Sequence, residues 1–145
     1  MLIGKTRTGS FGGVLEEYAE AKLFAVWLES HGKNVMSWKE MPMALTPEEY
    51  LGGLCDLTGE IGRYAVKMGT VRDTAAVKQC LATNMSIMHE LQSIPLPGDI
   101  NKKVGALRMS VEKLENIVYE LSLIQAGRSA PADSVNEVAA NDLEQ

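Results

Sequence analysis

Cysteine and histidine are scarce in this 145-residue chain, with two of each. Cys55 and Cys80 lie inside helical patterns and lack the paired spacing of a zinc site, which leaves buried or half-buried free thiols in a reducing compartment. His31 and His89 are far apart in sequence. No Ser-His-Asp set, phosphate-binding loop or Gly-x-Gly-x-x-Gly turn accompanies them. No stretch approaches the ~20 apolar residues of a membrane span, so no membrane partner is expected. The opening segment has no long apolar run either, which argues against a secretory signal. Cytoplasm is the expected compartment, together with the nucleus. A net basic charge is also missing. The formal net charge is −5, and the stretch Ser129–Gln145 contributes four acids and no Lys or Arg. The remaining body holds 14 basic and 15 acidic residues and is close to neutral. It lacks the overall basic signature of a nucleic-acid binder. Any RNA contact would need a local basic patch or a basic partner subunit.

What is present is a core. Hydrophobic residues make up 46% of the chain, ample for one folded domain. The pattern is all-α throughout, an antiparallel bundle of about four long helices. A flexible Gly-rich lead covers residues 1–13. A first helix follows from about Val14 to Ser30, apolar nearly all round and therefore expected to be buried on several sides. Gly32 stops it. One turn of helix is expected at Ser37–Met41, broken by Pro42. Thr46-Pro47-Glu48-Glu49 is a helix start signal, with a capping Thr, a Pro at the first position and a Glu to close the box. The second helix runs to about Met68 on a stripe of Tyr50, Leu54, Leu57, Ile61, Tyr64 and Met68. Glycines 52, 53, 59 and 62 weaken it and suit close approach of another backbone or a ligand. A third helix spans about Val71 to Ser93 and ends at Pro95 and Pro97. The fourth runs from about Asp99 to Ile124, with Val104, Leu107, Val111, Leu114, Val118 and Leu121 facing a bundle. Gly127 closes it. The helical domain is thus 14–126, and 127–145 reads as a disordered acidic tail.

Two pairs of carboxylates stand out on these helices. Glu17 and Glu20 are three apart, and Asp56 and Glu60 are four apart, so each pair points one way. Glu17 and Glu20 are embedded in apolar surface, where an unpaired acid is costly. Four acids converging from two helices would need a cation between them, and a hard divalent ion such as Mg²⁺ takes oxygen ligands. Such a centre can hydrolyse a phosphodiester. The plainer alternative is that Asp56 and Glu60, with Arg63 and Lys67 on the same face, form a solvated strip of weak salt bridges. Lys102, Lys103, Arg108 and Lys113 of the fourth helix can touch phosphates, or form a solvated face beside Glu112 and Glu115. Spacing alone leaves both readings open.

The wording of the segments adds a resemblance. Glu17-Tyr18-Ala19-Glu20-Ala21 with Phe24 resembles the translin superfamily. So does Pro47 to Glu60, ending Asp56-Leu57-Thr58-Gly59-Glu60, and so does Val111 to Leu121 of the fourth helix. The match runs in order from about Val14 to Ile124. Within the superfamily, translin itself lacks the acidic pairs, so this chain resembles the branch of translin-associated factor X. It is N-terminally short for that branch, whose helices before the Glu-Tyr-x-Glu segment are absent. Without them, apolar surface of the first helix would be exposed.

The resemblance implies an α-helical subunit of a hollow hetero-oligomer with translin. It also implies Mg²⁺-dependent endoribonuclease activity, with Mn²⁺ as a substitute, on single-stranded or small RNA such as passenger strands and tRNA fragments. DNA is a further nucleic-acid ligand to consider. By correspondence Glu17, Glu20, Asp56 and Glu60 would be the catalytic set. Glu20 and Glu60 would be the direct metal ligands, and Glu17 and Asp56 would complete the shell or position the attacking water. The alternative is a non-catalytic helical subunit that only binds and stabilises translin.

Overall fold

The computed structural model describes residues 10–129. Among them are four α-helices and one short 3₁₀ turn, with no strand: α1 (Ser10–Glu29), the 3₁₀ turn (Trp38–Glu40), α2 (Pro47–Thr70), α3 (Thr74–Gln92) and α4 (Gly98–Ser129). The chain is an all-α bundle, as its patterning predicts.

Local chemistry sets the ends of these helices. The Thr46 hydroxyl accepts from the Glu49 backbone N–H at 3.2 Å, and the Glu49 carboxylate accepts from the Thr46 N–H at 2.8 Å. This reciprocal cap, with Pro47 at the first helical position, fixes the start of α2. At the far end Arg72 takes a left-handed conformation, with φ of 60°. Asp73 then caps α3 by accepting from the Ala76 N–H at 3.0 Å. The expected start of the third helix at Val71 therefore moves to Thr74, because the cap is Asp73. At the end of α1 the chain turns through His31 and Gly32, both at positive φ. The Gln79 side chain of α3 donates to the Gly32 carbonyl at 2.7 Å and ties down that turn.

Two helices extend beyond their expected limits. Helix α1 begins at Ser10 rather than Val14, so Ser10–Gly13 of the expected lead are helical. Helix α4 runs through Gly127 to Ser129. Adding a residue to an existing helix is far easier than nucleating one, so the modest penalty of Gly does not stop either run. Residues 1–9 and the acidic segment 130–145 lie outside the described residues.

Helix α2 is the hub and packs on α1, α3 and α4, while α3 also packs on α4. Leu23 and Trp27 of α1, Leu57 and Ile61 of α2, Leu91 of α3, and Leu107 and Leu114 of α4 are almost wholly shielded from solvent. The Trp27 ring meets Tyr64 edge-on, with centroids 5.6 Å apart. Its indole N–H donates to Thr83 Oγ1 of α3 at 3.2 Å. Buried indole N–H groups need such a partner. The outer face of α1 stays bare among the described residues, with Val14 57% and Leu28 40% exposed. Among the described residues a helix apolar nearly all round is thus covered on one side, not on the several sides its pattern predicts.

The glycines of α2 serve two of its neighbours. A methyl group on Gly53 would stand 2.5 Å from the Ala19 Cβ, 3.0 Å from the Glu16 carbonyl oxygen and 3.1 Å from the Glu20 nitrogen. One on Gly62 would stand 3.0 Å from Ser110 Oγ of α4. Gly59 has no such close neighbour except the tip of the Arg63 side chain.

Candidate functional site

The close contact of α1 and α2 at Gly53 sets one turn of α1 beside the carboxylates of α2. On α1 the buried stripe is Leu15, Ala19, Leu23 and Trp27. At about 100° per residue, Glu16 and Glu20 flank that stripe, whereas Glu17 turns away from it. Accordingly Glu16 and Glu20 are partly buried and Glu17 is exposed. The Glu17 side chain makes no hydrogen bond or ion pair among the described residues. On α2, Asp56 and Glu60 are partly buried rather than fully solvated.

Helix α4 supplies the cation. Lys103 Nζ donates to both oxygens of Asp56 at 3.0 Å and to Glu16 Oε2 at 3.4 Å. The two carboxylates are thereby tied to one ammonium group from a third helix. Burial works against the charge on Lys103, but its bonds to Asp56 and then Glu16 outweigh that and raise its pKa. Arg63, one turn along α2, pairs with Glu60. That contact holds the Glu60 carboxyl below the usual range. Glu20 behaves oppositely. Burial first, then the charges of Asp56 and Glu60, push its carboxyl up. A side-chain hydrogen bond with Glu60 adds to that rise, and the charge of Arg63 opposes it. Among the described residues no base forms an ion pair with Glu20.

Of these groups, Glu20, Asp56, Arg63 and Lys103 border a groove of about 380 Å³ between α1, α2 and α4, which Ser110 and Cys55 also line. Burial pushes the Cys55 thiol up to about 11, so it is inert at neutral pH. Cys80, buried elsewhere in the core, is likewise raised to about 11 by burial. Both thiols are free.

Among the described residues, no three His, Cys, Asp or Glu side chains converge as a preformed metal cluster. The donor chemistry still fits a magnesium-type ion. Mg²⁺ is commonly held by one or two carboxylates, with waters and substrate phosphates completing its shell. Glu20 and Glu60 are such a pair: burial first, and then the charges of Asp56 and Glu60, raise the Glu20 carboxyl further than Arg63 lowers it.

Of the four acids singled out in the sequence, the fold therefore brings three together, Glu20, Asp56 and Glu60, and leaves Glu17 on the exposed side. It adds Glu16 and Lys103. Glu16 was overlooked because α1 is apolar nearly all round, so no single stripe told which side faced α2. Lys103 belongs to the basic set of the fourth helix, which the sequence offers as phosphate contacts or as a solvated face but not as a partner of Asp56. Its distance of 47 residues from Asp56 hides the pairing from any local pattern.

Residues 8–125 match the model of the translin family. The chain belongs to the translin family. Within it, the similarity is to the X branch. The chain is 29% identical over 122 residues to the translin-associated protein X homolog of Schizosaccharomyces pombe, covering 79% of this chain and 52% of the yeast protein. It is 30% identical over 98 residues to translin-associated protein X of Mus musculus, covering 66% of this chain and 32% of the mouse protein. The Rattus norvegicus protein of that name is 28% identical over the same length. The translin family chain described here thus spans about half of the yeast relative and about a third of the rodent ones.

Proposed function

We propose that this chain is the nuclease subunit of a hetero-oligomer with translin, a Mg²⁺-dependent endoribonuclease acting on single-stranded or small RNA. The observation that carries this reading is the approach of Glu20 of α1, at the groove, to Asp56 and Glu60 of α2, carboxylates on two helices that raise the Glu20 carboxyl and that Arg63 offsets only in part. Membership of the translin family and the names of the X-branch relatives support translin as the partner.

In this reading Glu20 and Glu60 hold the ion. When bound, it supplies polarisation of the scissile phosphate and a lowered pKa for a coordinated water. Asp56, fixed by Lys103, orients the attacking water and accepts its hydrogen bond. Arg63 and Ser110 line the groove where the non-bridging phosphate oxygens would lie. No covalent protein intermediate is involved.

A second reading has one observation in its favour. Lys103 and Arg63 already engage three of the cluster's four carboxylates. A subunit stabilised by those pairs needs no metal and would only bind translin. Cleavage of single-stranded RNA by the chain co-expressed with translin, in Mg²⁺ and in EDTA, separates the two. Mg²⁺-dependent cleavage that is lost in Glu20→Ala is expected. Cleavage retained by that variant, in an intact complex, rejects the catalytic assignment. No cleavage by the intact wild-type complex leaves the scaffold reading.

A further inference from the structure

The cluster's charges are unevenly matched. Glu16, Glu20, Asp56 and Glu60 carry four negative charges, and Lys103 and Arg63 carry two positive ones. The deficit equals the charge of one divalent ion. It is not spread evenly. Lys103 bonds both oxygens of Asp56 and reaches Glu16, so that half of the cluster has a fixed cation. The other half, Glu20 and Glu60, has only Arg63, which bonds Glu60 and leaves Glu20 without an ion pair among the described residues. Lys103 comes from α4 and is the only link from that helix to either carboxylate of its half among the described ion pairs.

We propose that Lys103 occupies the second cation position of this cluster, so that the site takes up one divalent ion, at Glu20 and Glu60, and no second ion between Asp56 and Glu16. This inference rests on the metal reading of the site and deepens it. Phosphodiester-cleaving centres commonly use two metal ions about 4 Å apart to hold the attacking and leaving oxygens. Here an ammonium stands in for one of them. It can neutralise and orient Asp56 at all times, but as a donor-only group with no open coordination position it cannot carry a water nucleophile. Lys103 is therefore a positioning residue. It holds Asp56 in place when the groove is empty and limits how many ions the groove accepts.

Mn²⁺ titration of the full chain, followed by the electron paramagnetic resonance of the free ion, tests this. Circular dichroism monitors the fold of each variant. The wild-type chain is expected to bind one Mn²⁺. Lys103→Met is expected to bind two, because Asp56 and Glu16 lose their cation, and Lys103→Arg is expected to stay at one. If four unopposed acids unfold Lys103→Met, the double variant Lys103→Met with Asp56→Asn removes the excess charge and is expected to return to one ion. Two ions on the wild-type chain overturn the proposal. One ion at unchanged affinity in Lys103→Met overturns it too, while leaving the metal reading in place. No ion on any of these proteins overturns the metal reading and this inference together.

Discussion

Gly53 and Ala19 meet so closely that no side chain fits between them, a methyl group on Gly53 standing 2.5 Å from the Ala19 Cβ. Two of the other atoms in its path belong to the backbone of α1 and cannot rotate away. Gly53→Ala must therefore move α1 as a body. Overpacking of this kind costs about 1–3 kcal/mol. The same movement takes Glu16 away from Lys103 and Glu20 away from Glu60. Urea denaturation is expected to show the loss of stability. Metal uptake is expected to fall along with it, whereas Gly59→Ala, where the space is open, should change the packing little.

Trp27 joins three helices, through its ring to Tyr64 of α2 and its N–H to Thr83 of α3. Trp27→Ala is expected to lose about 3–5 kcal/mol, the usual cost of emptying a buried aromatic site. Thr83→Val keeps the shape but leaves the indole N–H unpaired, for about 1–3 kcal/mol. Thermal or urea unfolding of both variants checks the order. A Thr83→Val cost equal to that of Trp27→Ala would mean the hydrogen bond, not the ring, holds α1 to α3.

Much of this was legible in the sequence. The Thr46-Pro47-Glu48-Glu49 start signal gave α2 its first residue, because a reciprocal cap is written within four positions. The stripe on α4 appears as Val104, Leu107, Val111 and Leu114 in the core. The acids of α2 were legible too. What escaped was the orientation of α1: the sequence points to Glu17, because apolar residues on all sides hide which face meets α2, and the fold turns Glu16 inward instead. The α4 boundary also escaped, since Gly127 slows a helix without ending it. Lys103 could not be found at all from local spacing.

The thiols offer a test of burial that is independent of the site. Cys55 and Cys80 are both raised to about 11 by burial. The thiolate is the reactive form, so at pH 8 both are expected to react slowly with a disulfide reagent and rapidly once urea unfolds the chain. The native state keeps its thiol protons at a pH where the unfolded chain gives them up. Stability from this source is therefore present below about pH 9 and falls as pH rises toward 11. Rapid reaction of either thiol at pH 8 in the native protein would contradict its burial.

Glu20 gives a pH signature of the site. Its carboxyl is raised by burial and by the charges of Asp56 and Glu60. The folded chain thus binds its proton more tightly than the unfolded chain does. That contribution is complete below the ordinary carboxylate pKa and is lost as pH rises through the raised value. Glu20→Gln keeps the hydrogen bond to Glu60 without titrating. Urea midpoints measured from pH 4 to 7 are expected to fall less steeply in the variant than in the wild type, once other carboxylates, common to both, are subtracted. Parallel curves would show that Glu20 does not sense its neighbours.

Helix α1 rests chiefly on α2, and its far face meets solvent. A helix held by one packed wall and a few single side-chain ties to α3 and α4 detaches at a lower free energy than the three helices that brace one another. Because Glu16 and Glu20 ride on α1 while Asp56, Glu60 and Lys103 stay behind, the acidic centre comes apart by partial opening, before global unfolding. A ligand that bridges Glu20 and Glu60 would clamp the molecule at its weakest seam. Loading of the site and docking of α1 are then one equilibrium.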